Sequence, residues 1–191
     1  MIQVLQTSTT EYKPRTEQNA RSSDLTVAFA EDFSSLGEKL TKKVAGENYV
    51  AIHLSTDPLE AARTLYRNLK SRNGKILNVA GNGIYTLVKF GWSQEKLDKY
   101  VFDVIAKVHE HWPIERVISG GQTGVDISGV IAAHALDIDV VATLPKGFKQ
   151  RGEDHHDFYQ TKDDVFNQIE SGALRIKSLT HDLVSAKKPR R

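Results

Sequence analysis

From Leu25 onward, short apolar runs alternate with stretches of helical spacing, and this alternation restricts the fold more than any other feature of the chain. LTVAF, YVAIHL, KILNVAGNG, ERVIS and VVATL read as strands. Each is short and almost continuously apolar, as strands covered on both faces are. Helical patterns lie between them. SSLGEKLTKKVAG spaces Leu36, Leu40 and Val44 four apart and ends at Gly46. TDPLEAARTLYRNLKSRNG offers Asp57 as a cap, Pro58 at the first helical position and Glu60 for a capping box. Leu59, Ala62, Leu65 and Leu69 form its apolar stripe, and Asn73-Gly74 ends it. SQEKLDKYVFDVIAKVHEH gathers Leu97, Tyr100, Val101, Val104, Ile105 and Val108 on one face. DISGVIAAHALD is apolar nearly all round, which predicts a buried helix. TKDDVFNQIESG predicts a helix from Thr161 to Gly172, and ALRIK a last strand.

This order predicts an α/β fold, Rossmann-like and three-layered, with a mostly parallel sheet and helices on both faces. Right-handed crossovers carry every strand-to-helix loop to one edge of the sheet, where ligands bind. AGNG, SGGQTGVD and LPKGFKQRGED therefore share a side. Residues 7–24 are polar and almost free of large aliphatics, so residues 1–24 read as a flexible arm. Residues 25–180 read as a single domain, and 181–191 as a basic tail ending in SAKKPRR. A length of 191 residues suits one such domain.

Composition removes several classes of function. With no cysteine there is no disulfide, thiolate zinc site, iron–sulfur cluster or cysteine nucleophile. A net charge of +2 does not make the whole molecule a nucleic-acid-binding polycation. No run approaches the roughly 20 apolar residues of a membrane span. A cytoplasmic protein with no membrane partner is the expectation. No metal is expected either: His155 and His156 are adjacent, their side chains diverge, and no second ligand cluster accompanies them.

The chemistry concentrates in the three loops. In ISGGQTGVDISG, a helix starting near Val125 leaves its first N–H groups unpaired and partly positive. Gly120, Gly121 and Gly124 would let an anion approach the backbone, with Gln122 and Thr123 adding donors. Asp126 would favour the dipole, accept N–H bonds or hold a ribose hydroxyl. A tight structural turn capped by Asp126 is the alternative. The pattern is neither a P-loop nor the spaced dinucleotide fingerprint. The first loop supplies Gly81, Asn82 and Gly83. The third supplies Gly147 as a further ligand-binding residue, Lys146, Lys149 and Arg151 to neutralise phosphate, and Glu153, Asp154 and Asp157 for hydroxyls or acid/base work.

The stretch VISGGQTGVDISGVIAAHALDIDVVATLPKGFKQRGED resembles the YpsA-like, molybdenum-carrier branch of the SLOG superfamily, which is related to DNA-processing protein A and the LOG phosphoribohydrolases. The resemblance spans residues 75–160. It rests on Gly120 to Asp126, Pro145-Lys146-Gly147, and Arg151 with Glu153-Asp154. Residues 25–73 resemble no known pattern and read as an extension packed on the core. The resemblance implies a Rossmann-like sheet whose loops bind nucleotides or their derivatives. Two departures matter. Leu144 stands where the branch usually has cysteine, which weakens a metal-carrier role. The LOG motif Pro-Gly-Gly-x-Gly-Thr is absent, so that family's glycosidic hydrolysis is not carried over.

The leading expectation is a nucleotide-derived ligand, bound as sensor or hydrolase. Gly120, Gly121, Thr123 and Gly124 would hold phosphate, Lys146 and Arg151 would add charge, and Glu153 or Asp154 would be the catalytic carboxyl. The alternatives are a single-stranded nucleic-acid binder using the basic loop with Tyr85, Trp92 or Phe148, and a non-catalytic interaction module. A homodimer is expected by analogy with SLOG proteins.

Overall fold

The computed structural model describes residues 1–186, with side chains described to residue 180. Residues 187–191 of the expected basic tail lie outside the described residues. Six parallel strands form one sheet: β1 (Ile2–Gln6), β2 (Leu25–Ala30), β3 (Tyr49–His53), β4 (Ile76–Gly81), β5 (Arg116–Ser119) and β6 (Asp139–Leu144), in the order β1-β6-β5-β4-β2-β3. The helices are α1 (Tyr12–Arg21), α2 (Leu36–Ala45), α3 (Pro58–Ser71), the single turn α4 (Ile84–Leu87), α5 (Gln94–His111), α6 (Val125–Ala135) and α7 (Lys162–Ala186). A two-residue hairpin, β7 (Gln150–Arg151) with β8 (Asp157–Phe158), lies between β6 and α7.

The core follows from the apolar runs. Every residue of β2 is buried, and Val27 lies level with Val79 of β4 on one side and Val50 of β3 on the other. Helix α5 buries the six apolar residues its spacing marks. Removing each such side chain from water contributes about 1.5–3 kcal/mol. The helices divide unequally between the two faces. On one face α3 packs on α5, α5 on α6 and α6 on α7; on the other α1 packs on α2. Two helices of 10 residues each leave part of a six-stranded face open.

The strand order makes the doubly wound pattern explicit. From β2 the chain moves outward to β3, then returns past β2 to β4 and continues through β5 to β6. Taken alone, β2 to β6 run in the order 2-1-3-4-5 of a flavodoxin-like sheet, with its reversal between β2 and β4. Strand β1 sits beyond β6, where a sixth strand would follow.

Three expectations are corrected. Residues 1–24 are not a loose arm but hold β1 and α1. Strand β1 alternates polar and apolar residues because it lies at an edge, and α1 has no aliphatic stripe because its inward residues are polar. ALRIK is not a strand: α7 runs unbroken through Gly172. A Cβ on Gly172 would come within 2.6 Å of Ile131, so this glycine permits close packing on α6 instead of ending a helix. The stripe of α2 is also turned: Leu36 is 87% exposed, and Glu38 and Thr41 are the buried residues.

Candidate ligand-binding site

The loops leaving β2 and β4 meet through Asn82. Its Oδ1 accepts from Glu31 N–H and Asp32 N–H, both at 3.0 Å, and its Nδ2 donates to Asp32 O at 2.9 Å. The loop between β4 and α4 also seals against the loop between β5 and α6. Val125 N–H donates to Asn82 O at 3.2 Å, and Ile84 N–H to Thr123 O at 3.2 Å. Gly124 has φ 95°, and a Cβ there would come within 2.5 Å of Asn82 O and of Ile84 N. These glycines bring two backbones of the same chain together.

The start of α6 is accordingly occupied by protein groups. Gly124 N–H donates to Gln94 Oε1 at 2.7 Å, and Thr123 N–H to Gln122 Oε1 at 2.9 Å. Gln122 Oε1 also takes Arg151 N–H at 2.7 Å, while Thr123 Oγ1 donates to Arg151 O. Gly121 has φ 64°, and the Leu144 side chain lies where its Cβ would point. Over Gly120 lies the guanidinium of Arg15, from α1, whose Nη1 donates to Asp126 Oδ2 at 2.5 Å. Burial pushes the Asp126 carboxyl up; Arg15 and the backbone amides of Gln122 and Gly81 pull the other way.

Beside this pair, α1 and α2 frame a hollow of about 550 Å³ above β4. It opens at the carboxyl ends of β4 and β5 and beside the start of α2, which follows β2, at the reversal of strand order, where α/β sheets hold ligands. Several polar side chains are buried in its lining. Asn19, Glu38, Thr41 and Asn78 line it and are 3%, 4%, 5% and 3% exposed. Asn78 Nδ2 donates to Thr26 Oγ1 at 3.1 Å, whereas Asn19 Oδ1 and Arg15 Nε are buried with no partner among the described residues. Such atoms cost roughly 1–3 kcal/mol each if nothing meets them. Burial, together with Asp126, lifts the Glu38 carboxyl to about 7, and its nearest hydrogen-bonding group is the Tyr49 hydroxyl at 3.5 Å.

The helix α2 starts at the same hollow. Ser35 caps it, its Oγ accepting from Glu38 N–H at 3.3 Å. Leu36 and Gly37 keep N–H groups with no partner among the described residues, and a Cβ on Gly37 would meet nothing within 4 Å. At the rim, Arg151 lies between the rings of Tyr12 and Tyr85, 5.5 and 5.6 Å from their centres. Asp157 organises that rim: its carboxylate receives Arg151 Nε at 2.7 Å, Lys149 Nζ at 3.0 Å and Tyr12 Oη at 3.0 Å. Arg151 leads in holding Asp157 down at about 2. Burial is the main cause of the Tyr12 hydroxyl rising to about 12.

Of the residues singled out in the sequence, Gly81, Asn82, Gly83, Gly120, Gln122, Asp126 and Arg151 line the hollow. Gly121, Thr123, Gly124, Lys146 and Gly147 do not. Lys146 N–H and Gly147 N–H are tied to Thr9 O and Gln6 Oε1, at the exit from β1. Glu153 and Asp154 lie exposed at the tip of the β7–β8 hairpin, where Asp154 accepts from His156 N–H at 3.0 Å. Tyr12, Arg15, Asn19 and Glu38 were not singled out. Ser35-x-x-Glu38 has a capping-box spacing, a local signal of a helix start that carries no reason for its glutamate to be buried. Among the described residues no group of three or more His, Asp or Glu could hold a metal ion, and no helix is long and apolar enough to cross a membrane.

A parallel sheet with its crevice at the strand-order reversal defines a Rossmann-like, doubly wound α/β fold, and the glycine heptapeptide that follows β5 is similar to the SLOG pattern. The model of the circularly permutated YpsA SLOG family matches residues 2–84, from β1 to the loop after β4. The sheet gives that permutation a physical form: joining the ends of a six-stranded 2-1-3-4-5-6 sheet and cutting before its sixth strand yields this order. Comparison with curated proteins and with solved structures gives no significant match.

Proposed function

We propose that this chain binds a nucleotide or nucleotide-derived ligand in the hollow between α1 and α2, with the ligand's anionic group at the start of α2 instead of on the glycine loop before α6. The observation that carries the reading is the junction, at the strand-order reversal, of two open helix amides (Leu36 and Gly37) with a buried, unpartnered Asn19 carboxamide. Open amides at a helix start favour phosphate. Arg15, Lys13 and Arg151 line the same hollow and offset the charge of Asp126. Tyr12 and Tyr85 at the rim offer faces for a base. The volume lies within the range of small-molecule sites.

Thermal unfolding with AMP, NAD, ADP-ribose and cyclic dinucleotides tests the reading. A ligand at 100 times its dissociation constant adds about 2.7 kcal/mol, a rise of roughly 5–10 °C for a chain of this size. Gly37→Glu puts a negative side chain into open space at the anion seat. It should abolish the response while leaving the unliganded transition unchanged or slightly higher, because an acidic residue suits a helix start. No response from any of these compounds, or a response that survives Gly37→Glu, rules the reading out. Assay of the bound compound for cleavage separates a sensor from a hydrolase.

A further inference from the structure

The deep end of the hollow differs in chemistry from its mouth. Lys13 and Arg151 are exposed or half-buried at the rim, whereas Asn19, Glu38, Thr41 and Asn78 are buried in the lining, and Arg15, a largely buried cation of the same lining, is already paired with Asp126. Two of those groups present acceptors that the protein leaves underused. Asn19 Oδ1 has no partner among the described residues, and the Glu38 carboxylate has the Tyr49 hydroxyl at 3.5 Å. The charged groups acting on Glu38 are Asp126 and Asp32, both negative. A buried acceptor set of this kind asks for hydrogen-bond donors on an uncharged part of the ligand.

Position selects which part. Glu38 follows Gly37 directly, roughly 1.5 Å further along the helix axis. If phosphate occupies the Leu36 and Gly37 amides, the unit within reach of Glu38 is the one bonded to phosphate, the sugar, and not the more distant base. A ribose presents two neighbouring hydroxyl donors, and a carboxylate can accept both. Asn19, on the facing helix, accepts from the same edge or donates to a ribose oxygen through Nδ2.

We infer that Glu38 and Asn19 read the vicinal 2′,3′-diol of the ligand's sugar, so that the site selects ribonucleotides over deoxyribonucleotides. This rests on the nucleotide reading above and gives that ligand its class. Neither residue takes part in holding phosphate.

The test uses the full chain and isothermal titration with the 5′-monophosphates of adenosine, guanosine, cytidine and uridine, each beside its 2′-deoxy and 2′,3′-dideoxy forms. The expected result is at least tenfold tighter binding of a ribonucleotide than of its 2′-deoxy form, and a larger gap for the dideoxy form. Glu38→Gln should shrink the ribose preference to about twofold, and Asn19→Ala should reduce it by less. Glu38→Asp, which keeps the charge and draws the carboxylate back by one methylene, should also lose most of it and serves if Glu38→Gln fails to fold. If ribo- and deoxyribonucleotides bind the wild type equally, or its preference survives in the Glu38 variants, the diol reading falls and the nucleotide reading stands. If none of these monophosphates binds, the diol reading falls, and the nucleotide reading is decided by the wider panel of the thermal-unfolding test.

Discussion

The loop before α6 and the loop before α2 stand at the same edge of the sheet and use their backbones in opposite ways. The first holds Gly120, Gly121 and Gly124 and has the look of an anion cradle. Its close approaches are to the chain's own atoms: the Arg15 guanidinium, Leu144, and the backbone of Asn82 and Ile84. The second, Ser34-Ser35-Leu36-Gly37-Glu38, is plain in sequence, yet Leu36 and Gly37 keep their amides open. A cluster of glycines signals that something approaches the backbone closely, without saying whether that something is a ligand or another segment of the protein.

Matched glycine substitutions are the sharpest way to break this comparison. Gly124→Ala should have the largest effect, because alanine would adopt a φ of 95° and meet two backbone atoms at 2.5 Å. A loss of about 4 kcal/mol or failure to fold is expected, measured by chemical denaturation. A loss under about 1 kcal/mol would mean the two loops part easily, as a ligand-gripping loop would.

Asp126→Ala should cost about 3 kcal/mol, because it leaves the Arg15 guanidinium, 11% exposed, without its carboxylate. Wild-type stability after this change would show that Arg15 swings free and that the seat over Gly120 is open to other anions.

Glu38 gives a pH-dependent contrast. Its carboxyl titrates at about 7 when folded, against an ordinary 4.5, so between these values the folded state holds more proton than the unfolded state. The stability this adds is complete below 4.5, declines as pH rises, and is gone once pH has passed through about 7. Glu38→Gln should therefore flatten the stability profile across that window and gain about 2 kcal/mol on the wild type at pH 8. Parallel profiles for the two proteins would show that Glu38 is solvated and that the interior of the hollow is wet.

The smallest effect is expected at Gly37→Ala. Its Cβ meets nothing, and alanine restricts the unfolded chain, so stability should rise by about 0.5–1 kcal/mol. A fall would place an unrecognised contact at the start of α2.

Much of the scaffold was legible in the sequence because its signals were local. Apolar runs marked β2 to β6, and Asp57 with Pro58 marked α3, where Asp57 Oδ1 accepts from Leu59 N–H at 2.9 Å. What escaped depends on distant partners. Strand β1 has alternating polar residues because it is an edge, and nothing local says that Val4 meets Ala142 of β6. Helix α1 turns Arg15 and Asn19 inward, so it lacks the aliphatic stripe by which helices are recognised. In α2 the aliphatic spacing pointed to the wrong face, because the trough it borders has polar side chains buried in its lining. The site was half visible for the same reason: the strand-end loops could be placed together from topology, but the wall that closes them comes from residues that look like solvent-exposed coil.

That wall sets an order of assembly. Strand β1 pairs with β6, and the amino group of Met1 reaches Asp139, 138 residues away in sequence. During synthesis β1 must wait, unpaired, until its partner strand, 138 residues further on, has followed it off the ribosome. The chamber thus becomes whole only when a segment made early docks against one made much later. A molecule able to occupy it would hold the two ends of that history together.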